Sequence, residues 1–280
     1  MENLIELKKV CLRFDLGFAI DNLTFGVRER EIFGFLGPSG AGKTTTIKLL
    51  TKQLKRKSGA ISLLGKDIDK VTRSDYDEIG ILSDTSNLYE RMSIQDNLNF
   101  FADLRGISRS QVSEVLDRVS LGEQRKQLFK KCSRGMKQRA ILASAVLHHP
   151  KLLFLDEPTS GLDPATSQEI HSLLLDLNRE GTTIFLTTHN MEEADKLCHR
   201  VGIINQGKLI ACGTPRDLKL EFARDEIRVM TKDRQYVTVQ KNEAGAERIA
   251  ELIKNGDCMT IHSSEPNLEE IFLQLTGREF

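Results

Sequence analysis

The hydrophobic and polar positions along the chain follow two alternating periods. Short apolar runs, typical of buried strands, are followed by longer stretches in which apolar residues recur every three or four positions, as on one helix face. Strands are predicted at residues 32–36, 152–155 and 182–187. Helices are predicted at residues 44–54, 96–104, 112–119, 135–147, 164–178 and 191–198. This alternation predicts an α/β domain with a largely parallel sheet.

The pattern changes near residue 222. A hairpin is predicted over residues 201–211, and it closes the run of strands and helices that precedes it. Further strands and helices are predicted at residues 226–230, 235–240, 244–254 and 267–275. We therefore expect a large domain over residues 1–222 and a small α+β domain over residues 223–280.

Composition narrows the class of protein. The 280 residues include 40 basic and 40 acidic side chains, and 39% are hydrophobic, which is enough for a substantial core. The balanced charge argues against general nucleic-acid binding, which normally needs a basic excess. No apolar run approaches the roughly 18 residues of a membrane span, and the first residues lack an apolar signal core. The missing signal core predicts a cytoplasmic chain. The five cysteines show no CxxC spacing, so we expect them to be reduced and not to bind a metal.

A phosphate-binding motif follows the first predicted buried strand. Residues 37–44, GPSGAGKT, fit G-x-x-x-x-G-K-[ST] between a predicted strand and a predicted helix. In this context backbone N–H groups and the helix dipole surround phosphate oxygens, Lys43 reaches the β and γ phosphates, and the Thr44 hydroxyl ligates Mg²⁺. A chance glycine-rich turn is the alternative. The predicted nucleotide-binding residues here are Gly37, Pro38, Ser39, Gly40, Ala41, Gly42, Lys43, Thr44 and Thr45.

A second motif places two carboxylates at the end of a buried strand. Asp156 and Glu157 directly follow the apolar run at residues 152–155. Ligands bind at this edge of open α/β sheets, so Asp156 is suited to hold Mg²⁺ and Glu157 to polarise an attacking water. An acidic first turn of a helix is the alternative. Together the two motifs predict a P-loop nucleotidase, and the lack of an NKxD motif argues against a GTPase.

Three further segments resemble the ATP-binding cassette (ABC) proteins. Residues 155–164, LDEPTSGLDP, are similar to that family's Walker B motif and D-loop. The Thr188-His189 pair follows a predicted strand, like the family's H-loop. Residues 133–139, SRGMKQR, resemble a degenerate form of the signature LSGGQ. The match covers roughly residues 1–222 and implies a P-loop (RecA-like) core with a helical subdomain at about residues 85–147 and an N-terminal antiparallel β subdomain.

The resemblance also implies an active site shared by two chains. In this family two cassettes pack head to tail, with ATP and Mg²⁺ between the P-loop of one and the signature of the other. Ser133 and Gly135 are then expected to contact the partner's nucleotide, and Asp163 of the D-loop belongs to the same nucleotide site. Glu157 and His189 are the expected catalytic residues, with His189 contacting the γ-phosphate or orienting the water.

The sequence departs from the family pattern within the signature. Cys132, Arg134 and Met136 replace a leucine, a glycine and a glutamine of the signature, whereas Ser133 and Gly135 are retained. The phosphate contact is therefore expected to survive while its surroundings change.

Two other positions differ from the family pattern. Asp84 stands where the Q-loop has glutamine, and a carboxylate there could still ligate Mg²⁺. Phe14 occupies the position of the aromatic residue that stacks on adenine, and Phe18 competes with Phe14 for this role.

The resemblance extends to partners. A cassette without a membrane span implies separate integral membrane permease subunits, a second ATP-binding subunit, and a position on the inner face of the membrane. The tail at residues 268–277, LEEIFLQLTG, resembles ABC-2 type cassettes, which mostly export drugs, antibiotic peptides or lipids. No nucleic-acid partner is expected. A soluble or regulatory ABC ATPase that is not coupled to transport is the alternative.

Overall fold

The computed structural model describes residues 3–14, 17–83, 85–263 and 265–277. These residues form two compact units, one that runs to Thr214 and one that begins at Pro215. No helix among these residues has both the length and the apolar character needed to cross a membrane.

The first unit contains ten strands and six α-helices among its described residues. In chain order the strands are β1 (Asn3–Phe14), β2 (Gly17–Arg28), β3 (Ile32–Leu36), β4 (Ser58–Leu63), β5 (Lys66–Asp67), β6 (Ile79–Leu82), β7 (Leu152–Asp156), β8 (Thr183–Thr188), β9 (Arg200–Asn205) and β10 (Lys208–Gly213). The helices are α1 (Lys43–Leu50), α2 (Ile94–Arg105), α3 (Arg109–Arg118), α4 (Arg134–Val146), α5 (Pro164–Arg179) and α6 (Met191–Leu197). Short 3₁₀ turns lie at Ile68–Lys70, Arg73–Glu78 and Phe129–Lys131.

The strands form two sheets, and these confirm the expected fold class. A six-stranded sheet has the order β10-β9-β3-β8-β7-β6, in which every neighbouring pair is parallel except β10 with β9. A four-stranded antiparallel sheet has the order β2-β1-β4-β5. Helices α2, α3 and α4 lie in the chain between β6 and β7 and form the helical subdomain. Because β3, β7 and β8 are parallel neighbours, their carboxyl ends meet at one edge of the sheet.

An aromatic cluster packs the two sheets together. Phe25 of β2 stacks on Phe33 and Phe35 of β3, with ring centroids 5.4 and 5.3 Å apart. Phe185 of β8 stacks on Phe25 and Phe33 at 6.1 and 5.9 Å. All four side chains are buried. Burial of such rings contributes roughly 1.5–3 kcal/mol each, so this cluster holds the strands that carry the phosphate loop in a fixed position.

Helix α1 ends earlier than its sequence pattern predicts. The apolar stripe extends to Leu54, but the helix stops at Leu50. Lys52 has a left-handed φ of 57°, and the N–H groups of Gln53 and Leu54 both donate to the carbonyl of Lys48. This turn satisfies the last carbonyls of the helix and redirects the chain.

The second unit is a small α+β fold. Its elements are α7 (Pro215–Glu221), β11 (Glu226–Thr231), β12 (Tyr236–Gln240), α8 (Glu243–Lys254), β13 (Cys258–Ser263) and α9 (Leu268–Thr276). The strands form an antiparallel sheet in the order β12-β11-β13. Strand β13 was not predicted from the sequence; it is an edge strand whose apolar residues Met259 and Ile261 are exposed.

Candidate active site

The glycine-rich loop between β3 and α1 requires glycine at two positions. A Cβ atom on Gly37 would lie 2.3 Å from the carbonyl oxygen of Ile204, so no side chain fits there. Gly42 has a φ of 113° and immediately precedes the first residue of α1. The loop is thus held close to β9 while the start of α1 stays open, as phosphate binding at a helix N-terminus requires.

The Lys43 ammonium is folded back into the loop. Its Nζ donates to the carbonyls of Gly37 at 2.7 Å and Pro38 at 3.2 Å, and it lies 3.2 Å from Glu157 Oε1. Lys43 is only 5% exposed. A buried cation requires anionic or carbonyl partners, so the loop holds a concentrated positive charge that a phosphate could share.

Asp156 lies at the end of β7 between two threonine hydroxyls. Thr44 Oγ1 donates to Asp156 Oδ2 at 2.7 Å, and Thr187 Oγ1 of the neighbouring strand donates to Asp156 Oδ1. Carboxylate and hydroxyl oxygens are hard donors, and Mg²⁺ sites commonly combine one or two of them with substrate phosphates and water. Among the described residues no three or more His, Cys, Asp or Glu side chains cluster as metal ligands. This oxygen set therefore fits Mg²⁺ that arrives with a nucleotide.

Glu157 bridges two strand ends. Its backbone has a left-handed φ of 48°, and its N–H donates to the carbonyl of Thr187 at 3.0 Å. The Oε2 atom lies 3.0 Å from His189 Nδ1, while Oε1 lies against the Lys43 ammonium. A lysine, a carboxylate and an imidazole thus lie in contact at one sheet edge, where they could bind a phosphate and polarise water.

A buried carboxylate behind this edge was not identified from the sequence. Glu193 of α6 is 4% exposed and accepts hydrogen bonds from Thr159 at 2.6 Å and Thr188 at 2.8 Å, while its Oε1 lies 2.6 Å from His171 Nε2. Burial by itself would raise the pKa of the Glu193 carboxyl, but these hydrogen bonds outweigh it and lower the pKa. Glu193 therefore joins the side chain of Thr159, two residues after Glu157, to that of Thr188, which precedes His189. The only sequence signal was an acidic pair after Thr188-His189.

The signature residues begin helix α4. Ser133 is its N-cap and accepts a hydrogen bond from the Met136 N–H at 3.2 Å. A Cβ on Gly135 would lie 2.9 Å from Thr166 Cγ2, so glycine permits close packing of α4 on α5.

Asp163 is the N-cap of α5 in this chain. Its carboxylate accepts from the N–H of Thr166 at 2.9 Å and from the Thr166 hydroxyl. These hydrogen bonds lower the pKa of Asp163. The side chain thus has a clear role in its own chain, besides the expected one at the nucleotide.

Of the expected adenine-stacking and Q-loop residues, the structure describes Phe14. Phe14 is half-exposed at the end of β1, where it pairs with Gly17 at the start of β2. The same hairpin reaches the phosphate loop, because a Cβ on Gly42 would lie 3.0 Å from the Ala19 carbonyl. Asp84 and the Phe18 side chain lie outside the described residues.

A cavity of about 340 Å³ adjoins the two carboxylates. Its lining includes Thr44, Asp156 and Glu157 together with Arg134 and Gln138 of α4. The phosphate loop, the buried lysine and the strand-end carboxylates define the class of protein, a P-loop nucleoside-triphosphatase.

Comparison with known proteins identifies the family. Residues 20–160 match the family model described as ABC transporter. The fluoroquinolones export ATP-binding protein of Mycobacterium tuberculosis is 37% identical, with 93% of this chain and 88% of that protein covered. The Nod factor export ATP-binding protein I of Burkholderia pseudomallei is 35% identical, with 98% and 97% covered. The chain belongs to the ABC transporter family, whose ATP-binding subunits hydrolyse ATP.

A solved structure agrees with this result. The structure of cbiO1 from Clostridium perfringens, part of the ABC transporter complex cbiONQ, has a TM-score of 0.71 and 27% identity. The match covers 79% of this chain and 92% of that chain. The expected ABC ATPase fold is therefore confirmed.

Proposed function

We propose that the chain is the ATP-hydrolysing motor of a membrane exporter and acts as one of two ATP-binding subunits on separate integral membrane subunits. The observation that supports export is the near-complete alignment with two export relatives. The alignments cover 93% and 98% of this chain and therefore include the small C-terminal unit. The compounds in those two names, fluoroquinolones and Nod factor, differ from each other. We therefore propose drugs, antibiotic peptides or lipids as the exported class.

The phosphate loop binds the nucleotide in this proposal. The backbone of residues 37–45 and the Lys43 ammonium hold its phosphates, and Phe14 stacks on the base. Thr44 and Asp156 are the residues that would hold Mg²⁺, and Asp84 is a further candidate ligand. When bound, Mg²⁺ neutralises charge that develops on the phosphoryl group. The Thr187 hydroxyl keeps Asp156 oriented toward Thr44, since it occupies the other carboxylate oxygen.

Glu157 orients and polarises the attacking water in this proposal. Its position beside both Lys43 and His189 supports the role, because a carboxylate held at two points loses little freedom on reaction. His189 holds the other side of the carboxylate and contacts the γ-phosphate. A second chain completes the closed site in this proposal, and its Ser133 hydroxyl and Gly135 N–H would contact a phosphate. Their position at the start of α4 supports this role. Asp163 of the D-loop lies in the same interface.

ATP turnover by the purified full-length chain tests the site. Lys43→Ala should lower turnover by at least a hundredfold and abolish nucleotide binding, because no other buried cation contacts this loop in the described residues. Lys48→Ala, five positions along the same helix region, is the matched control and should retain activity. Full turnover by Lys43→Ala would contradict the assignment.

Affinity purification from detergent-solubilised native membranes tests the partner. We expect an integral membrane protein to co-purify with the tagged chain. Recovery of the chain without any integral membrane protein would contradict the exporter proposal and favour a regulatory ATPase.

A further inference from the structure

Arg134 stands at an unusual position for a cation. It is the first residue of helix α4, directly after the N-cap Ser133, and the first turn of this helix carries no acidic residue. A positive charge at the N-terminus of a helix opposes the helix dipole and destabilises the helix. A compensating contact is therefore expected for this side chain.

The structure supplies that contact within the same chain. Arg134 Nη2 donates to the carbonyl oxygen of Ser160 at 2.8 Å. The guanidinium lies over Gly161, where an added Cβ would approach its Nη2, Cζ and Nη1 atoms to 2.4–2.5 Å. Gly161 has a left-handed φ of 66°. The arginine thus fills the space that the missing side chain of Gly161 leaves in the D-loop (residues 158–163).

A second contact lies one helical turn further along. Gln138 Nε2 donates to the carbonyl oxygen of Pro158 at 2.8 Å. Positions 134 and 138 lie on the same face of α4, so this face binds two carbonyls of one short segment. The first turns of α4 are therefore joined to residues 158–161 by two hydrogen bonds.

The same segment is bonded to the catalytic carboxylate residue. The N–H of Ser160 donates to the carbonyl oxygen of Glu157 at 3.2 Å. Arg134 is covalently next to Ser133 and is separated from Glu157 by only two hydrogen bonds through Ser160. A path of two hydrogen bonds thus runs from the residue next to the signature serine to the backbone of Glu157.

We propose that Arg134 is a positioning residue that ties the signature serine to the turn after Glu157. This inference rests on the proposed function, in which Ser133 serves the nucleotide of a partner chain while Glu157 serves the chain's own nucleotide. Contact of Ser133 with a phosphate of the partner's nucleotide then orders the Glu157 carboxylate at the chain's own nucleotide. Glycine at position 134 would leave the two sites without this link.

Steady-state ATP turnover of the full-length chain tests the role. Arg134→Gly should lower kcat about tenfold and change KM for ATP less than twofold, because Arg134 orients Glu157 and leaves the phosphate loop intact. Arg134→Lys keeps one donor and should restore kcat to within about threefold. Lys131→Gln, an exposed cation two residues before Ser133, controls for charge and should keep full activity. Unchanged kcat in Arg134→Gly, or an equal loss in Lys131→Gln, would overturn the proposal.

A double-mutant cycle with Gly161 tests the contact itself. A methyl group at position 161 displaces the guanidinium, so Gly161→Ala should also lower kcat. The combined Arg134→Gly/Gly161→Ala variant should be no slower than the slower single variant, because the contact is already lost. Multiplying losses in kcat would show that the two residues act independently and would overturn the proposal.

Light scattering separates this inference from the proposed function. In the Glu157→Gln background, ATP should still produce dimers when Arg134→Gly is added, since positioning does not create the interface. Loss of the dimer only upon Arg134→Gly would place Arg134 in the partner contact and overturn the positioning role. A monomer for Glu157→Gln alone would instead contradict the paired arrangement in the proposed function.

Discussion

Glu193 offers a quantitative prediction about the support of the active site. Its buried carboxylate accepts hydroxyl hydrogen bonds from Thr159 in the D-loop and Thr188 beside His189. Hydrogen bonds to a charged group contribute about 1.5 kcal/mol each at the lower end of the measured range, so losing both costs about 3 kcal/mol. We expect Glu193→Ala to lower the free energy of unfolding by about this amount. Glu193→Gln keeps the volume and one acceptor, and we expect a loss of about 1–2 kcal/mol.

Urea unfolding followed by circular dichroism measures this effect. Glu192→Gln is the matched control, because the neighbouring carboxylate is exposed and pairs with Lys196 on the surface. The pKa of Glu193 is lowered from its ordinary value of 4.5, so its stabilisation is present above that pH and is lost as the pH falls through the lowered pKa. The difference between wild type and Glu193→Gln should therefore shrink below pH 4.5. Equal unfolding midpoints for Glu193→Gln and Glu192→Gln at pH 7 would refute the reasoning.

Two further predictions concern Asp156 and the partly buried His148. Thr187→Val removes a hydrogen-bond donor to Asp156. We expect the Mg²⁺ concentration for half-maximal ATPase activity to rise about fivefold, which is equivalent to one hydrogen bond of about 1 kcal/mol. An unchanged Mg²⁺ titration would contradict this role. Partial burial and the positive charge of Arg105 lower the pKa of His148 to about 4. The unfolded chain therefore binds a proton that the folded chain does not, and stability should fall as the pH drops from 6.5 to 4. His148→Gln should weaken this dependence whereas the exposed neighbour variant His149→Asn should not, and identical pH profiles for all three proteins would count against the assignment.

The fold was largely predictable because its signals are local. Helix α2 was expected over residues 96–104, and in the structure it ends at its C-cap Gly106, a glycine with a left-handed φ of 66°. Strand β7 is buried along its whole length, and its apolar run leads directly into Asp156. The end of α1 was predicted wrongly because the left-handed turn at Lys52 leaves no mark on the apolar pattern.

The arrangement around the carboxylates needed tertiary information. The Thr187 hydroxyl reaches Asp156 only because β7 and β8 are adjacent and pair these two residues in register. Thr159 and Thr188 are far apart in the chain, and Glu193 joins them across two loops. Likewise, Arg134 was visible in the sequence as a departure from the signature, but its contact with Ser160 follows from the packing of α4 against the D-loop. Periodicity and motif spacing carry no information about such pairs.

The central proposal is a site completed by a second chain, and the mass of the Glu157→Gln variant in solution tests it most directly. This substitution keeps the nucleotide-binding loop and slows hydrolysis, so bound ATP should hold two chains together. Multi-angle light scattering should give a mass near the 31.6 kDa of one chain without nucleotide, and twice that value with saturating ATP and Mg²⁺. Lys43→Ala added to this variant should return the mass to that of one chain. A monomer at saturating ATP in Glu157→Gln would contradict the shared site.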